Sequence, residues 1–254
     1  MTRSLVPVNP ARCLKKCFSI TRTTSKPFGK GMSNKYDTTT VKVFECGLVD
    51  YQTTWRAMQD FNAARADSAM DEIWLLQHPP VYTHGLNCQD QDIRGRPDIP
   101  SIPCDRGGET TYHGPGQLIA YTMMNIHVRD WGVKKLVTAL EQSVIDLLHG
   151  YGIKAGRRAD APGVYVGSRK IAALGLRIKK GCSYHGIALN GRMDLRPFHE
   201  INPCGYPGLN VTQLADLIES YKEIQVQKEF LTTLLKNLGY NKVNHEKCTL
   251  PPYG

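Results

Sequence analysis

The sequence predicts an α/β (α+β) fold, a mixed β-sheet flanked by helices in a single large domain, and three observations carry that prediction. Short continuous apolar runs, closed by proline or glycine, alternate with stretches whose apolar residues recur at helical spacing. One pair of such runs is joined by a tight glycine turn, as in an antiparallel hairpin, whereas other runs are separated by enough chain for a helical crossover. At 254 residues the chain lies near the length where one hydrophobic core stops growing, and no internal repeat or interdomain linker divides it.

Taken in order, Trp55, Met58, Phe61 and Ala64 occupy one face of a first helix. Ile73-Trp74-Leu75-Leu76, stopped by Pro79-Pro80, reads as a strand buried on both sides, and Leu118 to Ile126 as another. Val133, Leu136, Val137, Leu140, Val144, Leu147 and Leu148 mark the clearest helix, ended by Gly150 and Gly152. Gly163 to Val166 and Lys170 to Leu176 flank Gly167-Ser168-Arg169 as a hairpin, with Lys170 at the head of its second strand. Tyr184 to Asn190 is a further strand, and Phe230, Leu231, Leu234, Leu235 and Leu238 belong to a terminal helix that covers the sheet.

Charge separates the front of the chain from the body. Of the 32 Lys and Arg residues, eight fall in residues 1–36, which hold no acid. The remaining 24 are balanced by 23 acids, so the body has no electrostatic footprint for nucleic acid. Residues 1–36, rich in Ser, Thr and Arg and broken by Pro7, Pro10 and Pro27, are expected to form a disordered basic extension, with 37–254 as the folded domain. Such composition fits a transit peptide or a stretch upstream of a start at Met32; the prolines oppose the amphipathic helix of a transit peptide and favour the second reading. A cytoplasmic protein is therefore expected, or a mitochondrial one if the extension is a transit peptide. No apolar run approaches the roughly 18 residues of a membrane span, so no membrane partner is expected.

The eight cysteines lack regular spacing and any secretory signal, which points to a reducing compartment rather than a disulfide framework, with most thiols buried as small hydrophobes. No pair has zinc-ribbon spacing, and neither a metal nor a cofactor is expected.

Four segments concentrate the chemistry. Arg106-Gly107-Gly108-Glu109-Thr110-Thr111-Tyr112-His113-Gly114-Pro115-Gly116-Gln117 is a glycine-rich loop able to offer backbone N–H groups to a carbonyl, or simply a structural turn; it lacks the Gly-Lys-Ser/Thr ending of a phosphate loop. Lys170, at an apolar strand's head, is by pattern alone a solvated strand end. Gly181 to Asn190 places His185 beside a glycine in a strand, where satisfied core histidines are commoner than catalytic ones. Ile201 to Gly208 holds Cys204 in a loop stiffened by two prolines and freed by two glycines, an unusual setting for a core thiol. Nucleophilic use of that thiol requires a cation or base beside it.

In this order the segments resemble the lipoyl(octanoyl) transferases, the octanoyl-[acyl-carrier-protein]:protein N-octanoyltransferase family. The resemblance runs from about Val41 to about Leu214 and rests on Arg106 to Gln117, Arg158 to Gly167, Lys170 to Arg177, Gly181 to Asn190 and Asn202 to Gly205. Tyr184 stands where phenylalanine is common in the family, and Ala173 where serine is common.

The resemblance implies a fold similar to the catalytic domains of biotin and lipoate protein ligases. It also implies transfer of an octanoyl or lipoyl group from acyl carrier protein to a lysine on the lipoyl domains of 2-oxoacid dehydrogenases and the glycine-cleavage protein. Cys204 would carry the group as a thioester, and Lys170 would favour the thiolate and then exchange protons with the departing thiol and the incoming amine, with His113 as a helper. Arg106 to His113, Ala173-Leu174-Gly175 and Gly186-Ile187-Ala188 match the acyl-binding segments. Arg157, Arg158, Arg177, Lys179, Lys180 and Arg192 cluster near them in sequence and are candidates for docking the acidic carrier. A monomer is expected. An ATP-dependent ligase, a thioesterase and a noncatalytic lipoyl-domain binder are the rival readings.

Overall fold

Alternation within the apolar runs builds the sheet, because successive side chains of a strand face opposite sides and here both sides are covered. The computed structural model describes residues 36–251 except 67, 89–95, 160 and 202–209. Among these, strands β1 (Thr40–Leu48), β2 (Asp71–Gln77), β6 (Gln117–Met123), β7 (Gly156–Arg157), β8 (Val164–Val166), β9 (Arg169–Lys179), β10 (Cys182–Asn190) and β11 (Lys242–Glu246) form an eight-stranded sheet. Its order is β11-β1-β2-β6-β10-β9-β8-β7. β1 is parallel to β2 and β11, and the other neighbours are antiparallel, so the sheet is mixed as expected.

Ile73 and Leu75 of β2, with Leu118 and Ala120 of β6, face a core shared with α2 (Val133–Gly150) and α3 (Glu223–Leu238). Trp74, Leu76, Ile119 and Tyr121 face the other side, where α1 (Tyr51–Ala64) contributes Met58. The Asp50 carboxylate starts α1 by accepting the Thr53 N–H at 2.8 Å. Gly239, at φ 77°, ends α3 in the left-handed conformation. Strands β3 (Val81–His84), β4 (Ser101–Pro103) and β5 (Thr110–His113) form a second, three-stranded sheet in the order β4-β3-β5. The hairpin turn falls at Gly167-Ser168, so Lys170 is the second residue of β9. No helix among the described residues is long and apolar enough to cross a membrane.

The fully buried Asp71 at the head of β2 ties these layers together. Its carboxylate accepts hydrogen bonds from Arg65 at 2.6 Å, Arg129 at 3.1 Å, the Tyr240 hydroxyl at 2.7 Å, the Asn125 N–H at 2.7 Å and the Tyr36 hydroxyl. Tyr36, assigned by sequence to the extension, is therefore buried in the body; the residues before it lie outside the described ones.

The expectation of unpaired thiols needs one correction. Cys46 and Cys248 form a disulfide, because parallel pairing of β1 with β11 carries the chain beyond Glu246 alongside the middle of β1 and leaves their Cα atoms 5.1 Å apart. Cys104 and Cys182 are buried, and Cys88 is half-buried.

Replacing Asp71 by alanine leaves two buried guanidinium groups facing one another without their carboxylate. The expected loss is about 3–5 kcal/mol of unfolding free energy, read from denaturant midpoints of Asp71→Ala against the native chain.

Candidate active site

A cavity of about 790 Å³, counted out to its open mouth, lies between the large sheet and the small one. Ala173, Leu174 and Gly175 of β9 and Gly186, Ile187 and Ala188 of β10 line it, with Arg106, Gly108, Glu109, Thr110, Thr111 and His113 from the glycine-rich segment. Lys170 lines it too. Gly107 and Tyr112 do not. The Gly107 N–H is turned onto the Leu176 carbonyl at 2.9 Å, and the Tyr112 ring packs between Tyr82 and Phe198. Cys204 lies outside the described residues.

Lys170 is only 3% exposed, which replaces the solvated strand end of the pattern-based reading. Its ammonium nitrogen donates to the Pro162 carbonyl at 3.1 Å and lies 5.4 Å from the centre of the Tyr165 ring. Its backbone joins the chain leaving the Cys204 segment: the Lys170 N–H donates to the Asn210 carbonyl, and the Thr212 N–H to the Lys170 carbonyl, both at 2.9 Å.

Arg106, expected to face an acyl group, spends its guanidinium on the protein. Nε reaches the Thr83 hydroxyl at 3.1 Å, Nη2 the Thr83 carbonyl at 2.6 Å, and Nη1 the Gly107 carbonyl at 3.1 Å. The residue thus clamps the loop to β3. Its neighbour Asp105 accepts from Trp55 Nε1 at 2.8 Å, Gln59 Nε2 at 3.1 Å, His185 Nε2 at 3.1 Å and the Tyr184 hydroxyl. Burial raises this carboxyl's pKa, but the four donors outweigh it and hold the group well below the usual carboxylate range.

Tyr184 and His185 are consecutive in a strand and would ordinarily face opposite sides. His185 has φ 61°, in the left-handed region that costs a non-glycine residue about 1–2 kcal/mol, and the twist brings both side chains onto one carboxylate. The rings stack at 5.1 Å. His185 also lines the cavity, so it is both a satisfied core histidine and part of the wall.

Three histidines beneath the cavity are held in their neutral forms. His78 Nδ1 bonds the Val49 carbonyl at 2.7 Å, which fixes the proton there and leaves Nε2 to accept from the Tyr121 hydroxyl at 2.9 Å. His113 Nδ1 bonds the Gln117 side-chain amide oxygen Oε1 at 2.7 Å, and its ring stacks on Tyr51. Burial pushes His78 down to about 4 and His113 to about 3, and it lowers His185 against the pull of Asp105. A neutral His113 can offer hydrogen bonds near neutral pH but stores no proton. Tyr51, Ile119, Tyr121, Asn190, Phe198 and Val211 also line the cavity although the sequence did not single them out. Ile119 and Tyr121 were legible only as members of an apolar strand. Among the described residues no group of three or more His, Cys, Asp or Glu side chains is placed to hold a metal.

A mixed sheet bearing a small-residue apolar cavity, with a buried lysine at its edge, is a framework for holding an acyl chain. Comparison with known proteins gives the framework a family. Residues 50–238 match the model of the lipoyl protein ligase A/B catalytic domain, and the chain belongs to this family. It is 50% identical over 202 residues to the octanoyltransferase of Nitrosococcus oceani, covering 80% of this chain and 90% of that one. It is 52% identical over 199 residues to the octanoyltransferase of Thiobacillus denitrificans, covering 78% and 91%. Kinship at this level makes the chain an acyltransferase. Among solved structures, lipoate-protein ligase A bound with ATP superposes with a TM-score of 0.68 at 13% identity, over 82% of this chain and 89% of that one. A putative lipoate protein ligase from T. acidophilum with bound lipoic acid gives 0.67 at 14% identity, over the same 82% and 89%. These two share the fold.

The depressed histidines set a pH dependence of stability. Unfolded, His78 and His113 take up protons as pH falls through about 6.5, whereas folded they stay neutral down to about 4 and about 3. Stability should therefore be constant above pH 7 and fall between about 6.5 and 4, at up to ~1.4 kcal/mol per pH unit for each histidine. Denaturant titrations at half-unit pH intervals check this, and His78→Gln should flatten the slope.

Proposed function

We propose that this chain moves an octanoyl group from acyl carrier protein to a lysine of the lipoyl domains of 2-oxoacid dehydrogenases and the glycine-cleavage protein, through a thioester on Cys204. The observation that carries the reading is the position of Lys170, buried at the edge of an apolar cavity and hydrogen-bonded through its backbone to Asn210, six residues beyond Cys204. The names of the relatives support the octanoyl group, and the small apolar side chains of Ala173 and Ala188 beside Gly175 and Gly186 suit a saturated chain.

The Cys204 thiolate attacks the carrier's thioester carbonyl, the bond to the phosphopantetheine sulfur breaks, and the Lys170 ammonium protonates the departing thiolate. The acceptor lysine, as a neutral amine, then attacks the Cys204 thioester. The tetrahedral adduct gives its extra proton to the now neutral Lys170, and collapse releases the amide and the Cys204 thiolate. Thiol-to-thiol exchange is nearly isoenergetic, and amide formation draws the second half-reaction forward. The cycle consumes no ATP.

Of the basic groups suggested for carrier docking, Arg157 is tied to Glu141 at 2.9 Å and to Gln142 at 2.8 Å, and Arg192 lies over the Tyr221 ring at 5.1 Å. Lys179 and Lys180, exposed at the β9–β10 turn, are the stronger candidates for meeting an acidic carrier.

The test is an intact-mass assay of octanoyl carrier protein, a purified lipoyl domain and the chain, without ATP. The expected product is the octanoyl amide of the lipoyl domain. Lys170→Met should lower its rate by about 10²–10⁴ while leaving the far-ultraviolet circular dichroism spectrum unchanged. A requirement for ATP would assign a ligase activity instead.

A further inference from the structure

The register of the sheet orders the cavity's lining into rows. Ala173 of β9 pairs with Ala188 of β10, which pairs with Ile119 of β6. Two residues further along β9, Gly175 pairs with Gly186, which pairs with Tyr121. Each row therefore has two positions carrying at most a methyl group and ends in a large side chain. All six residues line the cavity.

The second row is also where the cavity closes. A methyl group on Gly175 would sit 2.8 Å from the Gly107 carbonyl oxygen, so the glycine-rich loop rests directly on the sheet there. Tyr121 cannot swing aside, because its hydroxyl is held by His78, whose other nitrogen is fixed by the Val49 carbonyl. Tyr121 is 4% exposed, and Ile119 is 1% exposed.

The geometry points to Tyr121, seconded by Ile119, as the stop that sets the length of acyl chain the enzyme accepts. This rests on the octanoyl-transfer reading above. Gly175 lies five residues along β9 from Lys170, a distance of about 17 Å at the rise of a strand. A saturated chain advances about 1.2 Å per bond by analogy with extended backbone, so an octanoyl thioester reaches about 10 Å and a sixteen-carbon one about 19 Å. Medium chains end before the Tyr121 row. Long chains collide with it.

Native chain, Tyr121→Phe, Tyr121→Leu and Ile119→Ala are assayed with octanoyl, dodecanoyl and hexadecanoyl carrier protein as donors and a lipoyl domain as acceptor. Tyr121→Phe keeps the ring but frees it from His78, and should raise the ratio of hexadecanoyl to octanoyl transfer by less than Tyr121→Leu does. Tyr121→Leu should raise that ratio tenfold or more, since a pair of methylenes admitted to an apolar site is worth at least that much discrimination. If Tyr121→Leu does not fold, Ile119→Ala decides, with an expected rise of at least fivefold. A ratio within twofold of native in the deciding variant overturns the assignment. A native chain that transfers no octanoyl group overturns the underlying reading and the assignment with it, whereas native octanoyl transfer with an unmoved ratio overturns the stop alone.

Discussion

The approach of the Arg106-Gly107-Gly108 loop to strand β9 is the constraint on which the site depends. Gly107 donates to the Leu176 carbonyl at 2.9 Å, and its own carbonyl occupies the space a side chain on Gly175 would need. Arg106 then fastens the loop to Thr83 on the small sheet. One glycine on the strand and one buried guanidinium thus join the two sheets and roof the cavity. The glycine-rich segment roofs the cavity, and its arginine fastens that roof to the small sheet.

Asp105 extends the same logic to the opposite wall. Its four donors come from α1 and β10, and the left-handed turn of the backbone at His185 aims two consecutive side chains at it. Strain of this kind persists where surrounding interactions over-determine it, and it is common at functional sites. The chain's tyrosine at 184 adds a donor that a phenylalanine there would lack. Burial keeps His78, His113 and His185 in neutral form around a cavity whose lining is largely apolar.

The parts of the fold legible in sequence were those whose period survives in short windows. Ile73 to Leu76 and Leu118 to Ile126 read as strands because both sheet faces are covered, although the second strand ends at Met123, and Val133 to Leu148 read as a helix because one stripe is apolar. The small sheet went unread: its strands are three or four residues long and are joined by loops whose shape depends on the large sheet. The edge pairing of β1 with β11 and the Cys46–Cys248 disulfide join residues 202 positions apart, which no local pattern reports. Within the site, Lys170 reads by pattern as a solvated strand end but is buried, since burial of a strand's first residues depends on what crosses over them. Tyr121 was invisible as a site residue, because a tyrosine in an apolar strand announces only core.

In the mechanism we propose, the acyl group rests on Cys204 between donor and acceptor. The most direct measurement is intact mass of the chain after mixing with octanoyl carrier protein and no acceptor, followed by peptide mapping. A single octanoyl adduct is expected, on the peptide containing Cys204, that disappears when lipoyl domain is added and is absent from Cys204→Ala. An adduct of the same stoichiometry on Cys204→Ala, or full transfer to the lipoyl domain by that variant, would contradict it.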